Sequence, residues 1–600
     1  MNIVRDYDQY VNGAWEKTHQ MPGDRSRWST FDMLSHEIQE QLCTLCAADT
    51  GLVGQIYAKA LKPASKISPK ILAMLAEVQK VKTRAGFYTL SWRFYQQGVQ
   101  TVFGIGRTED AKNSDVLIPT ITQSGLGLPD KNYYTDKAVL LAYRTFIEDL
   151  CKLYRCAVNP DAIIAFEGRL AALHKTHAEL RNVDTAYNIL SAADLPAFFK
   201  PFNLDLHRVV VGNVEFLAEL PGIIRSTPLP VLKDYLWYKV AASYIEFQPK
   251  AVRDVGFKFY GQTLMGRRAR HTVENYAVNV VQKFLPVQLE KLYIRHYVDG
   301  TVLKRARQMI GKIIAALKEG INTAAWMSAG TKSKSLEKLA RIHIGVGYPK
   351  KWPETRGLWT GLDVAKTDLT ELAMARAKWG FYAHVVAEFY QPVDRALWDM
   401  ATYEVNACYD LNMNQMLIPA GILQKPFFGF THPAQNFGGI GCIIGHELTH
   451  GFDDQGRKFD PEGNLAAWWT PADIKTYEGR AAKVRDYYSA QRFRGMRVNG
   501  KLTQGENLAD IGGLTLSLRA MESSGKVSRA DYQRFFKTYA SLWRQLINKE
   551  AAKKSILTNP HAPNPLRVNA VVSHIPEFFE AYGVTVPPAK LKEMREFSIW

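Results

Sequence analysis

Apolar residues recur every three or four positions over most of the chain, in stretches such as AVLLAYRTFIEDLCKLY (Ala138 to Tyr154) and RARQMIGKIIAALKEGIN (Arg305 to Asn322). That period gives a helix one buried stripe. Convincing strand alternation is scarce. Gly, Pro and charge cluster at GIGRTEDAKNSD (Gly104 to Asp115), GLGLPDKNYY (Gly125 to Tyr134) and VGYPKKWPETRG (Val346 to Gly357), and these mark breaks. The pattern predicts a mainly helical region over residues 39–376 and a more punctuated remainder, residues 377–600, that carries the candidate chemistry. A chain of 600 residues also exceeds the roughly 250 to 300 that one core supports, so two or more domains are expected.

Composition changes this picture little. With 46% hydrophobic and 22% charged residues, the chain is that of a globular protein and not a disordered one. No apolar run approaches the roughly 20 residues needed to cross a bilayer, and the opening MNIVRDYDQYVNGAWEKTHQ has no apolar stretch of the signal-peptide type. The six cysteines are too few for a disulfide framework in a chain this long, so a reducing, cytoplasmic setting is expected; an exported precursor trimmed to its mature form is the alternative. The net charge of +18 has two readings, a polyanionic partner or a solvated basic surface. The basic residues are dispersed, and the densest runs, MGRRARH (Met265 to His271) and LKRARQ (Leu303 to Gln308), lie inside helical patterns. No nucleic-acid partner is expected.

The candidate chemistry begins at GHELTHGFDD (Gly445 to Asp454). Residues four apart on a helix share a face with Cβ atoms about 5 to 6 Å apart, so His446 and His450 can hold one ion. Glu447 flanks the first ligand, where it can reach a water on that ion, and zinc lowers the pKa of such a water toward roughly 7. Catalytic zinc commonly takes three protein ligands. A third histidine shortly after the second is absent, since Asp453 and Gly456 stand there. Further on, GENLADIGGLTLSLRAM (Gly505 to Met521) is a second helical pattern with Glu506 and Asp510 again four apart. If the two helices pack side by side, Glu506 completes the ligand set and Asp510 can accept a hydrogen bond from a ligating imidazole.

At these residues the chain resembles the neprilysin family of zinc metallopeptidases, in its bacterial oligopeptidase O-like branch. HELTHGFDDQGRKFD, GENLADIGG, VNACY, IPAGILQKPFF and NPHAPNPLRVNA follow the family's order, as do YDQYVNGAW, GLGLPDKNYY, GYPKKW and the terminal Trp600. The resemblance implies that His446, His450 and Glu506 ligate one zinc ion, that Glu447 is the general base, and that Asp510 orients His446. It further implies that Asn406 and Ala407 hold the substrate peptide, that His561 stabilises the oxyanion and that Arg567 binds a substrate carbonyl. Gln415 departs from the family, which commonly has an acidic residue there, and puts one local contact in doubt. Cys408 and Cys442 flank the site.

The expected architecture is mainly α (α+β) in two domains. The resemblance implies a thermolysin-like catalytic domain, built from residues 377–600 with an N-terminal segment 1–38 joined to it and closed by the helical domain, residues 39–376, around a central substrate chamber. The expected activity is zinc-dependent hydrolysis of oligopeptides on the amino side of apolar residues by a monomer that binds no membrane, with Ile443 and Cys442 as walls of the apolar pocket. The rival expectation is a catalytically silent, zinc-containing peptide-binding protein of the same fold.

Overall fold

A computed structural model describes residues 3–600. Helices dominate it. The predicted helix at Ala138 to Tyr154 runs from Lys137 to Tyr154. Asp136 accepts from the amides of Ala138 and Val139 and so begins it, while Tyr143, Phe146, Ile147, Leu150 and Tyr154 bury its stripe. The helix Gly300–Thr323 behaves alike, with Leu303, Ala306, Ile310, Ile313, Leu317 and Ile321 buried.

Two predictions made from local pattern fail. Gly104 to Asp115, read as a break, forms most of a hairpin in which Phe103–Asp110 pairs antiparallel with Asn113–Gln123. Its polar residues belong to strands of a four-stranded sheet ordered 103–110, 113–123, 209–211, 189–190. The two sides of a strand alternate, and glycines at 104 and 106 lie across from Thr122 and Thr120, so composition hid the period. Met265 to His271, read as helical, is turn and loop after the π-helical segment Phe257–Thr263.

The first residues pack on the last ones. In the helix Tyr7–Thr18, the Asp8 amide donates to Asn569 Oδ1 at 2.9 Å and Asn12 Nδ2 to the Ala540 carbonyl at 2.9 Å. Strand Arg27–Ser29 pairs antiparallel with Gln545–Ile547. A three-stranded sheet places Gln415–Pro419 between His343–Gly347, parallel to it, and Cys408–Asp410, antiparallel. All five residues of the middle strand are buried, as a strand covered on both faces requires. Gln415 is 5% exposed and donates from Nε2 to the Arg395 carbonyl at 2.8 Å, so a neutral side chain is satisfied where the family commonly has an acid.

Among the described residues, no helix is long and apolar enough to cross a membrane.

Candidate metal centre

The two motif helices touch where neither carries a side chain. HELTH closes the helix Cys442–His450, and GENLADIGG opens the helix Gln504–Glu522. A Cβ at Gly445 would lie 2.7 Å from the Gly513 carbonyl, and one at Gly513 would lie 2.6 Å from the His446 amide nitrogen. Glycine at both positions therefore lets the backbones close until side chains from each helix meet.

They meet at three atoms. His446 Nε2 lies 3.1 Å from His450 Nε2 and 3.1 Å from Glu506 Oε2, and His450 Nε2 lies 3.3 Å from the same oxygen. Metal bonds of about 2.0 to 2.1 Å at tetrahedral angles give ligand separations of about 3.3 Å, so the triangle has the dimensions of a zinc face. His446 Nδ1 donates to Asp510 Oδ1 and His450 Nδ1 to Asp453 Oδ2, each at 2.9 Å. With those protons fixed on Nδ1, two Nε2 lone pairs and a carboxylate oxygen converge, an arrangement that a cation satisfies and that repels itself without one. The residues fit zinc.

Burial opposes charge on Glu506, but His561, His450 and His446 around it hold its carboxyl well below the usual range. Burial likewise opposes Asp510, and Arg567 with His446 overrides it, taking the carboxyl down to about 2. Glu447 differs. Burial pushes its carboxyl up, against the two ligand histidines, and its side chain accepts no hydrogen bond among the described residues. It borders a cavity of about 560 Å³.

The cavity gathers every residue the resemblance assigned outside the ligand triangle, apart from Asp510 behind it. Asn406 and Ala407 enter it just ahead of Cys408–Asp410, an edge strand paired on one side only. His561 lines it with Nε2 at 3.1 Å from Glu506 Oε2, and its own amide donates to Asn559 Oδ1 at 2.9 Å. Arg567 lines it as well, but donates from Nε and Nη2 to Asp510 at 2.7 and 2.6 Å and stacks 3.6 Å from the Trp543 ring centroid. Nη1 makes no hydrogen bond among the described residues. Ile443 lines the cavity, whereas Cys442 does not: its thiol turns to the Phe437 carbonyl at 3.3 Å, inside the packing between helices. Tyr409, on the edge strand, donates to Asn414 Oδ1 and serves packing.

Sequence reasoning missed three contributors. Asp453 entered only as a position where a third histidine is absent, although a carboxylate three residues after His450 lies within its reach. Arg27 and Asp32, paired at 3.3 Å, form a charged wall of the cavity, and no local pattern announces it.

A mainly helical fold with two crossed helices presenting two histidines and a glutamate beside a free buried carboxylate defines a metallopeptidase. Two family models described as peptidase family M13 match residues 4–349 and 406–596. The chain belongs to peptidase family M13, and is a zinc metalloendopeptidase of the neprilysin type. It is 28% identical to endothelin-converting enzyme 1 of Bos taurus over 99% of this chain and 86% of that protein. It is also 28% identical to Neprilysin-1 of Caenorhabditis elegans over 96% and 86%. The inhibitor complex of the Mycobacterium tuberculosis zinc metalloprotease ZMP1 superposes with a TM-score of 0.92 at 27% identity, covering 98% of this chain and 97% of that one. The open state of ZMP1 superposes with a TM-score of 0.71 at 27% identity.

Proposed function

We propose that this peptidase hydrolyses oligopeptides on the amino side of apolar residues, with one zinc ion held by His446, His450 and Glu506. The observation that carries this reading is the triangle of ligand atoms, 3.1 to 3.3 Å on a side, whose imidazoles are fixed from behind by Asp510 and Asp453. Held by these three residues, zinc would supply Lewis acidity for a scissile carbonyl and lower the pKa of a water.

The chain's own residues do the rest. Glu447, without a hydrogen-bond partner among the described residues and raised by burial, takes a proton from the attacking water and returns one to the leaving amine. His561, held over Glu506 at the cavity wall, donates to the oxyanion that forms on the carbonyl oxygen. Asn406 and Ala407 extend the unpaired edge of Cys408–Asp410, where a peptide can add as a further strand. Nη1 of Arg567 is a free donor for a substrate carbonyl among the described residues, and Asp510 fixes its direction. Ile443, with Ile422, Phe31 and Trp543 across the cavity, supports the preference for an apolar residue after the cut. A cavity of about 560 Å³ supports extended peptides as substrates over folded domains.

The packing of the helix Tyr7–Thr18 and strand Arg27–Ser29 on residues 540–569 supports assigning the N-terminal segment to the catalytic unit. Six unpaired cysteines support a cytoplasmic setting.

The test is hydrolysis of a quenched fluorescent oligopeptide library, before and after chelation and after adding zinc back. Cleavage before apolar residues that chelation abolishes and zinc restores is expected. A protein that holds zinc and cuts nothing would instead be the silent binding protein.

A further inference from the structure

Arg181 reaches from the helical N-terminal region to the loop that follows the ligand His450. A short turn, His177–Leu180, ends at Arg181, whose guanidinium spans a separation of 273 positions to grip Asp454. Nη1 donates to Oδ2 and Nη2 to Oδ1, both at 2.7 Å. Nη2 also lies 3.8 Å from Asp453 Oδ2, the oxygen that accepts from His450 Nδ1. On its other side stands Gly505, immediately before the ligand Glu506. A Cβ at Gly505 would lie 1.8 Å from Arg181 Nη2, so the glycine leaves the room that the guanidinium fills.

This is a paired arginine in a mostly buried place: its side chain is 22% exposed and that of Asp454 14%. A two-bond fork between guanidinium and carboxylate fixes direction as well as distance. The loop it grips is held from other sides as well. Asp453 Oδ1 accepts from the amides of Gln455 and Gly456 at 2.8 and 2.7 Å. The buried Lys338, again from the N-terminal half, donates to the carbonyls of Gly456 and Phe459 at 2.8 and 2.7 Å. Residues beside Arg181 join in, since the Val183 amide donates to Gln455 Oε1 at 3.3 Å and Lys458 Nζ to Asn182 Oδ1 at 3.3 Å.

We propose that Arg181 is a positioning residue for the metal centre: by clamping Asp454 it holds Asp453 against His450, so that retention of the metal depends on docking of the Arg181 segment from the other half of the molecule. The inference rests on the zinc reading of the His446, His450 and Glu506 cluster. Arg181 touches neither metal nor substrate in this role.

The experiment follows zinc release from the loaded full-length protein into a chromogenic chelator, with peptide kinetics and thermal midpoints measured on the same samples. Arg181→Met removes the fork at similar length, Asp454→Asn removes the partner's charge, and Arg181→Lys keeps charge without the fork. Lys553→Met breaks a different ion pair between the halves, Lys553 with Asp136, that touches no metal ligand. Release about tenfold faster is expected in Arg181→Met and Asp454→Asn, the size of effect that partners of ligating histidines show. Arg181→Lys recovers part of it, kcat falls more than KM rises, and Lys553→Met releases zinc at the wild-type rate. Wild-type release from folded Arg181→Met overturns the proposal, as does equally fast release from Lys553→Met; should Arg181→Met not fold, Asp454→Asn decides by the same criterion. A wild type that retains no zinc overturns the metal reading and this inference together.

Discussion

Two buried glutamates, one in each half of the molecule, show how the same side chain becomes structure or chemistry. Glu167 lies in the core of the N-terminal half, where its Oε2 accepts from Tyr134 at 2.7 Å and Tyr143 at 2.9 Å, with Lys239 nearby. Glu447 is as deeply placed, and burial pushes both carboxyls up. Yet Glu447 has no hydrogen-bond partner among the described residues and borders a cavity beside the three converging atoms of His446, His450 and Glu506. A buried carboxylate whose partners are supplied by the fold locks that fold; one whose partners are withheld is kept for something that arrives. Tyr134 belongs to GLGLPDKNYY, so a motif of the family resemblance turns out to fasten the helical half.

The contrast can be broken at either end. Glu447→Gln is expected to lower kcat by about 10² to 10⁴, the usual worth of a positioned base, with zinc content and thermal midpoint unchanged; turnover near wild type would end the assignment. Glu167→Ala should act the other way round. It removes the acceptor from two buried phenols beside a buried lysine, and a stability loss of about 3 to 5 kcal/mol is expected in denaturant unfolding, with ligand geometry intact at low temperature. A loss under 1 kcal/mol would show that the network is not what holds the helical half.

A smaller effect is expected behind the metal. Asp453→Ala frees the His450 ring and should weaken zinc binding by about 10- to 100-fold in competition with a chelator, while Glu447→Gln leaves it unchanged. Equal zinc affinities in the two variants would erase the difference between orienting and reacting carboxylates.

The last effect, smallest per pH unit, concerns acid. Burial pushes His174 and His574 down to about 4, so both stay neutral in the folded protein where an unfolded chain, with histidines near 6.5, takes up protons. Their depressed values make stability constant above pH 6.5 and cause it to fall between pH 6.5 and 4, by at most about 1.4 kcal/mol per pH unit for each. His174→Phe should flatten part of that slope in urea titrations, and an unchanged slope would assign acid sensitivity elsewhere.

What could be read from the sequence follows the range of the interaction. His446 with His450 and Glu506 with Asp510 are spaced by one helical turn, so each pair is visible within five letters. That the two helices cross at Gly445 and Gly513 is a fact of packing; the family resemblance implied the shared site before geometry showed it. His561 and Arg567 likewise came from resemblance, since a loop histidine and an arginine have no period. Arg181 lay beyond reach, because its partner stands 273 positions away and nothing local marks a buried fork. The hairpin at 103–123 was hidden for a different reason: Gly104 and Gly106 on one face of the strand and Arg107 and Glu109 on the other make its composition that of a loop.

The central claim is that two helices assemble one zinc centre at His446, His450 and Glu506. Anomalous diffraction at the zinc edge, from crystals of the full chain, tests it most directly. The account predicts one peak about 2.0 to 2.2 Å from each of the three ligand atoms, present equally in Glu447→Gln. A zinc-supplied crystal with no peak there, or with its peak on other residues, would contradict it.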